Sequence, residues 1–164
     1  RTLAGVSRCL KERSGGRVRC FLVDPPGSGL YNRVRHGVAY APEEAEGTRS
    51  RHQVDTITEG IGINRLTNNF LLARVDDAFK ATDQEAVDMA GFLLEREGIF
   101  VGSSSAINCV GAVKTARKLG PGHTIVTILC DHGQRHISRF HNPDYLEEAG
   151  LRRARFDDSL EFVL

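Results

Sequence analysis

Two short apolar runs, each cut off by turn-forming residues, constrain this chain more than any other feature of its sequence. Residues 18–23 read V-R-C-F-L-V and stop at Asp24-Pro25-Pro26-Gly27-Ser28-Gly29; residues 124–130 read T-I-V-T-I-L-C and stop at Asp131-His132-Gly133. A run that short and nearly all apolar suits a strand covered on both faces. Proline cannot donate to a ladder and glycine permits a tight turn, so such strands end abruptly. Helical patterns fill the intervals. Leu3, Val6 and Leu10 recur at i, i+3 and i+7, with Arg8, Lys11 and Glu12 outside, Thr2 as a cap and Ser14-Gly15-Gly16 as the stop. Thr82-Asp83-Gln84-Glu85 is a capping box, and the helix it opens carries Val87, Ala90, Gly91 and Leu94 on one face and ends near Gly98. A further helix follows Ser103-Ser104-Ser105, with Ile107, Val110 and Gly111 inward and Lys114, Arg117 and Lys118 outward, and stops at Gly120-Pro121-Gly122. Helix, short loop and buried strand in alternation predict an α/β domain with a largely parallel sheet, in which residues 124–130 are the central strand.

The chain has 164 residues, enough for one domain, with 40% hydrophobic and 26% charged residues, so it can build a core. Its 22 basic and 21 acidic residues leave a net charge of +1, which argues against a nucleic-acid partner. No apolar run approaches the roughly 18 residues of a membrane helix, so no membrane insertion is expected. The charged stretch 42–52 reads as a solvated loop, and from residue 151 onward three arginines and three acids cancel, as in a peripheral tail. The first residue is Arg1 and the only methionine is Met89, so the chain reads as a processed product or a piece of something longer. Nothing at its start resembles a signal peptide, and any targeting information would lie upstream. Cys9, Cys20, Cys109 and Cys130 are widely spaced without a C-x-x-C pair and read as reduced thiols, with Cys20 and Cys130 buried.

Ligands of open α/β sheets bind outside the carboxyl ends of strands. That places Asp131 and His132, just after the second apolar run, as the best polar pair, against the plainer reading of an exposed turn histidine. His132 and His136 lie four apart with His141 beyond, but Gly133, Gln134 and Arg135 intervene where H-E-x-x-H needs a glutamate, so no metal site is expected. The serines 103–105 suit either helix capping or an anion at the helix start. Gly60-Ile61-Gly62 forms a tight turn but lacks the rest of a dinucleotide fingerprint.

Four motifs in order go further: V-D-P-P-G-S-G-L-Y-N from Val23, T-E-G-I-G-I-N-R-L-T from Thr58, V-G-S-S-S-A-I-N from Val101 and L-G-P-G-H-T-I-V-T-I-L-C-D from Leu119. Together they resemble the C-terminal half of the cysteine synthase family, fold type II pyridoxal-phosphate enzymes, nearest to its fungal mitochondrial branch. The likeness runs from Thr2 to about Tyr145. It implies that residues 1–145 are the C-terminal part of the coenzyme-binding large domain and 146–164 a peripheral tail. That domain is a three-layer, mostly parallel sheet structure, incomplete here at its N-terminus. The resemblance also implies pyridoxal 5'-phosphate as coenzyme, a small amino-acid substrate and a homodimer for the complete protein. The reaction is β-replacement, in which O-acetylserine loses its leaving group and sulfide adds to the aminoacrylate to give cysteine. The compartment, mitochondrial or cytoplasmic, is not readable from these residues.

The resemblance also assigns roles. Thr2 matches the last threonine of a G-T-G-G-T phosphate loop, with Arg1 in place of its last glycine; Gly60 matches the glycine of the E-G-I-G turn lining the coenzyme cleft. His132 stands where the family has a serine hydrogen-bonded to the pyridine nitrogen. A histidine is bulkier and offers a neutral or charged N–H, so it is expected to crowd the ring or change its protonation and lower β-replacement. No catalytic residue is expected in this chain. Lys11, Lys80, Lys114 and Lys118 fall outside any motif matching the Schiff-base lysine, which with the substrate-carboxylate loop belongs to the family's N-terminal half. The chain alone is therefore expected to be inactive. Two other readings stand beside this one: a non-catalytic module or degenerate paralogue that binds a partner, and a related cystathionine β-synthase or serine/threonine dehydratase.

Overall fold

The computed structural model describes residues 2–40, 56–153 and 159–164. The chain divides into two compact units, one from Arg1–Asp55 with Gly62–Lys80 and the other from Thr56–Ile61 with Ala81–Leu164. The expected loop at 42–52 lies outside the described residues.

The first unit holds α1 (Thr2–Arg13), β1 (Phe21–Asp24), α2 (Leu30–His36), α3 (Asn68–Leu71) and β2 (Asp77–Lys80). β1 and β2 pair in parallel, with Phe21 opposite Asp77 and Asp24 opposite Lys80. The strand begins later than its apolar run. Val18 and Arg19 are exposed, and pairing starts only after Cys20, whose carbonyl accepts from the Asp76 amide at 2.8 Å. Asp76 then fastens this entrance from the other side. Its carboxylate accepts from the Cys20 amide and from Lys11 Nζ, both at 2.6 Å. Burial pushes Asp76 upward, but those two donors reverse it and hold the carboxyl below its ordinary value.

α1 is helical from Thr2 itself, so Thr2 is its first residue rather than its cap. Gly15 and Gly16 take positive φ, and the Gly16 amide closes the helix end on the Lys11 carbonyl at 2.8 Å. The buried face is not the expected one. Ala4 and Ser7 point inward, whereas Val6 and Leu10 are 43% and 40% exposed. Ser7 explains part of this: its hydroxyl donates to the Ala4 carbonyl and accepts from the Arg74 amide, tying α1 to the segment after α3.

The D-P-P-G-S-G turn behaves as a clasp. The Ser28 hydroxyl donates to the Ile63 carbonyl and accepts from the Ile63 amide, both at 3.1 Å, and the Gly29 amide adds a bond to the same carbonyl. Asp24 closes β1 with its side chain 1% exposed and accepts from the Tyr31 amide at 2.7 Å. It thereby caps α2, which lacks a capping side chain at Gly29. Burial, outweighing the bonds from Ser28 and Tyr31, holds the Asp24 carboxyl above the usual carboxylate value.

The second unit is built on α4 (Asp83–Glu97) and α5 (Ser103–Leu119), with α6 (Pro143–Glu148) later in the chain. The capping box at Thr82 and Glu85 forms as its spacing predicts, and Gly98 ends α4 in a left-handed conformation. The buried surface of α4 runs from Glu85 to Gly91, wider than the predicted stripe. Ile107, Val110 and Gly111 of α5 are buried as expected. Lys114 is not an outward residue. Its ammonium lies 2.8 Å from Glu85 Oε1, and the two side chains are only 12% and 3% exposed. Within the segment 146–164, Leu146 and Val163 are buried, and the Leu164 amide donates to Glu85 Oε1 at 2.9 Å. Arg117 donates to the carbonyls of Leu160 and Val163.

The predicted central strand does not form as one. Among the described residues no strand pairs with 124–130; Val126 is 84% exposed and Ile128 56%. Its polar groups turn to α5 instead. Asn108 Nδ2 donates to the Ile128 carbonyl at 3.0 Å, and the Cys130 amide donates to Ser105 Oγ at 2.8 Å. Cys130 is accordingly exposed, contrary to its apolar setting in the sequence, while Cys20 is buried as expected. All four thiols are free.

Candidate functional site

The polar residues singled out in the sequence gather mainly in the second unit. Phe100, Val101 and Gly102 run antiparallel to Asp131, His132 and Gly133, and Val101 faces His132 in an isolated bridge. The Gly102 amide donates to the Asp131 carbonyl at 3.0 Å, and the Gly133 amide donates to the Phe100 carbonyl at 3.1 Å. A pair flanked this way is the narrow, non-hydrogen-bonded kind, whose side chains approach closely. The loop after residues 124–130 is thereby anchored to the entrance of α5.

Neither glycine of this bridge can carry a side chain without displacing a neighbour. A Cβ on Gly133 would lie 2.6 Å from the Phe100 ring, and one on Gly102 would overlap Asp131 Oδ1 and sit 2.6 Å from His136 Nε2. Asp131 Oδ1 is buried with no hydrogen-bond partner among the described residues, whereas Asp131 Oδ2 faces His136 Nε2 at 2.8 Å.

His136 joins two loops. Besides Asp131 it faces Glu59, whose Oε2 is 3.9 Å from His136 Nδ1 and whose Oε1 accepts from Arg139 at 3.3 Å. The Glu59 amide donates to Ser103 Oγ at 3.1 Å. The turn bearing Gly60 and the loop bearing His132 are therefore tied to one another and to α5. Ser103 and Ser105 serve as brackets for these neighbouring segments. The cap of α5 is Gly102, without a side-chain bond, so of the two readings of these serines helix capping does not occur.

Gly60 has φ of +82° and Gly62 +83°, conformations that favour glycine. A Cβ at Gly60 would meet nothing within 4 Å, so the space beside it is open. His132 is exposed; its Nδ1 accepts from the Gln134 amide at 3.2 Å, capping the 3-10 turn Gly133–His136. His141 is differently placed, with Nε2 on the Val101 carbonyl at 2.8 Å and Nδ1 facing Arg153 at 2.9 Å. Burial keeps its pKa below the ordinary histidine value, and the nearby Arg153 acts in the same direction. The three histidines thus have separate partners, and no group of three His, Cys, Asp or Glu suited to a metal occurs among the described residues. Thr2 belongs to the first unit, exposed at the start of a 12-residue helix with no acidic residue in its first turn.

A family profile described as pyridoxal-phosphate dependent enzyme matches residues 1–131. The chain belongs to that family. Its coenzyme is therefore pyridoxal phosphate. Over 164 residues the chain is 53% identical to cysteine synthase 2 of Schizosaccharomyces pombe, covering 99% of this chain and 41% of that protein. It is 50% identical over 141 residues to a putative mitochondrial cysteine synthase of Saccharomyces cerevisiae, covering 85% of this chain and 36% of that one. Among solved structures, an O-acetylserine dependent cystathionine beta-synthase from Helicobacter pylori superposes with a TM-score of 0.68 at 30% identity. That match covers 84% of this chain and 39% of the Helicobacter chain. The resemblance read from the four motifs is thereby supported, as is the α/β fold with parallel pairing. The chain spans about two fifths of the length of these relatives.

Two features of the second unit stand out beside these comparisons. It leaves open space at a turn glycine, and it exposes the His132 side chain on a backbone bridged to Val101. No described helix is long and apolar enough to cross a membrane.

Proposed function

We propose that this chain is the C-terminal part of a cysteine synthase, forming part of the coenzyme pocket without the lysine that tethers the coenzyme. Residues 1–145 would supply that part of the large domain, and the complete protein would act as a homodimer on O-acetylserine and sulfide. Pyridoxal phosphate, when bound, supplies the electron sink for loss of the β-substituent. What this chain adds is placement. Gly60 leaves room beside the ring, His132 offers a hydrogen bond at the ring nitrogen, and Thr2 at the start of α1 offers a hydroxyl and helix-terminal amides to the phosphate.

The observation that carries this reading is the disposition of the chain's four lysines. Lys11 is paired with Asp76 at 2.6 Å and Lys114 with Glu85 at 2.8 Å. Lys80 lies over the Tyr31 ring at 5.4 Å from its centroid, and Lys118 lies in the last turn of α5. None of the four lies in a motif that matches the Schiff-base lysine, and Lys11 and Lys114 are committed to carboxylates. Cysteine synthase relatives at 50% and 53% identity support the substrate class. The Helicobacter structure, whose protein is described as O-acetylserine dependent, supports the same donor.

The experiment is absorbance spectroscopy of the purified chain with added pyridoxal phosphate, followed by assay with O-acetylserine and sulfide. No lysine-linked band and no cysteine are expected. Cysteine made by this polypeptide alone would overturn the proposal. In a complete protein, His132→Ser should shift the coenzyme's absorbance, and an unchanged spectrum with unchanged turnover would remove His132 from the site.

A further inference from the structure

We propose that the neutral imidazole of His132 adopts a single tautomer, with its proton on Nε2, and that Phe100 is the positioning residue that keeps it so. The coenzyme role of that N–H rests on the function proposed above; the tautomer does not.

The argument begins with the lone pair. A neutral imidazole carries hydrogen on one nitrogen and a lone pair on the other. His132 Nδ1 accepts from the Gln134 amide at 3.2 Å, so its lone pair is there and the proton is on Nε2. Nε2 has no hydrogen-bond partner among the described residues, and the side chain is exposed. Two further contacts hold the ring in this pose. The backbone is pinned by the bridge to Val101. The Phe100 ring meets the imidazole edge to face, at 5.2 Å between centroids and 87° between planes. Phe100 is itself wedged by His141, at 4.7 Å, and occupies the space that a side chain on residue 133 would need.

The tautomer bears on the expectations attached to His132. A charged imidazolium would need a proton on Nδ1 and would break the cap on Gln134. A neutral Nε2–H presents one donor and no positive charge, which is what a serine hydroxyl presents to an acceptor nitrogen. The substitution therefore keeps the direction of the hydrogen bond and changes only the reach of the group that makes it.

The test is long-range 1H–15N correlation on the whole chain labelled with 15N-histidine, at a pH above the histidine range. The ratio of Nε2–H to Nδ1–H at His132 should exceed that of the denatured chain by roughly fivefold, the bias one capping bond can impose. His123 is an internal contrast, because its Nδ1 faces the Gly120 carbonyl at 3.3 Å and should carry the proton. In Phe100→Leu the excess at His132 should shrink toward the denatured ratio while the α4 and α5 amide resonances stay in place. A wild-type ratio equal to that of the denatured chain, or a dominant Nδ1–H form, would overturn the proposal without any variant. An unchanged ratio in Phe100→Leu would overturn the role of Phe100. Adding pyridoxal phosphate separates the two levels. In a complete protein loaded with the coenzyme, a His132 Nε2 signal that does not move would sink the coenzyme reading while the tautomer remains assigned.

Discussion

Single side chains in this protein do work that their residue types alone do not announce. Asp24 ends a strand yet is buried, and burial holds its carboxyl above the ordinary value. A group whose pKa is raised by folding stabilises the native state most when protonated, and that contribution is lost as pH rises through the raised value. Asp24→Asn keeps an acceptor for the Tyr31 amide and cannot ionise. Urea unfolding should show the variant more stable than the parent at neutral pH, with the difference vanishing in acid. Equal stabilities at neutral pH would show that Asp24 ionises there without penalty. Gly133 makes the opposite point, since its lack of a side chain is the requirement. Gly133→Ala should cost about 1–3 kcal/mol in thermal or urea unfolding, the usual penalty of overpacking, because the new methyl must displace Phe100.

Among the elements, α4 and α5 show how much of a helix is written locally. The capping box at Thr82 and Glu85 and the stop at Gly98 were readable because each is a contact within a few residues of chain. Lys114 was misread as an outward residue, because its partner Glu85 lies on another helix. Removing one member of a buried pair strands the other, so Lys114→Met should cost about 3–5 kcal/mol, measured by urea unfolding. A loss within 0.5 kcal/mol would mean that water reaches Glu85 readily. α1 went wrong for a related reason. Leu3, Val6 and Leu10 have helical spacing, but Ser7 bonds to the Arg74 amide and turns the face of Ala4 and Ser7 inward. The 124–130 segment has strand-like composition, yet a strand exists only in a ladder, and no described segment supplies one.

For the molecule as a whole, that segment has a consequence. Val126, Ile128 and Leu129 are 84%, 56% and 48% exposed, an apolar line beside backbone groups that pair with no strand among the described residues. Unpaired apolar edges promote association. Light scattering should show the isolated chain dimerising or aggregating, and Val126→Lys with Ile128→Lys should reduce it. A monodisperse monomer at the concentrations used for spectroscopy would contradict this.

By itself the sequence determined the α/β alternation, the capping box and glycine stop of α4, and the family, because these depend on local spacing and ordered motifs. Tertiary structure alone decided which faces are buried, that the serines at 103 and 105 hold neighbouring segments, and that His136 ties the Gly60 turn to the His132 loop. Apart from the local His136–Asp131 contact, those outcomes depend on partners more than 20 residues away in the chain, and residue type says which bonds a group can make but not which distant group will come to make them.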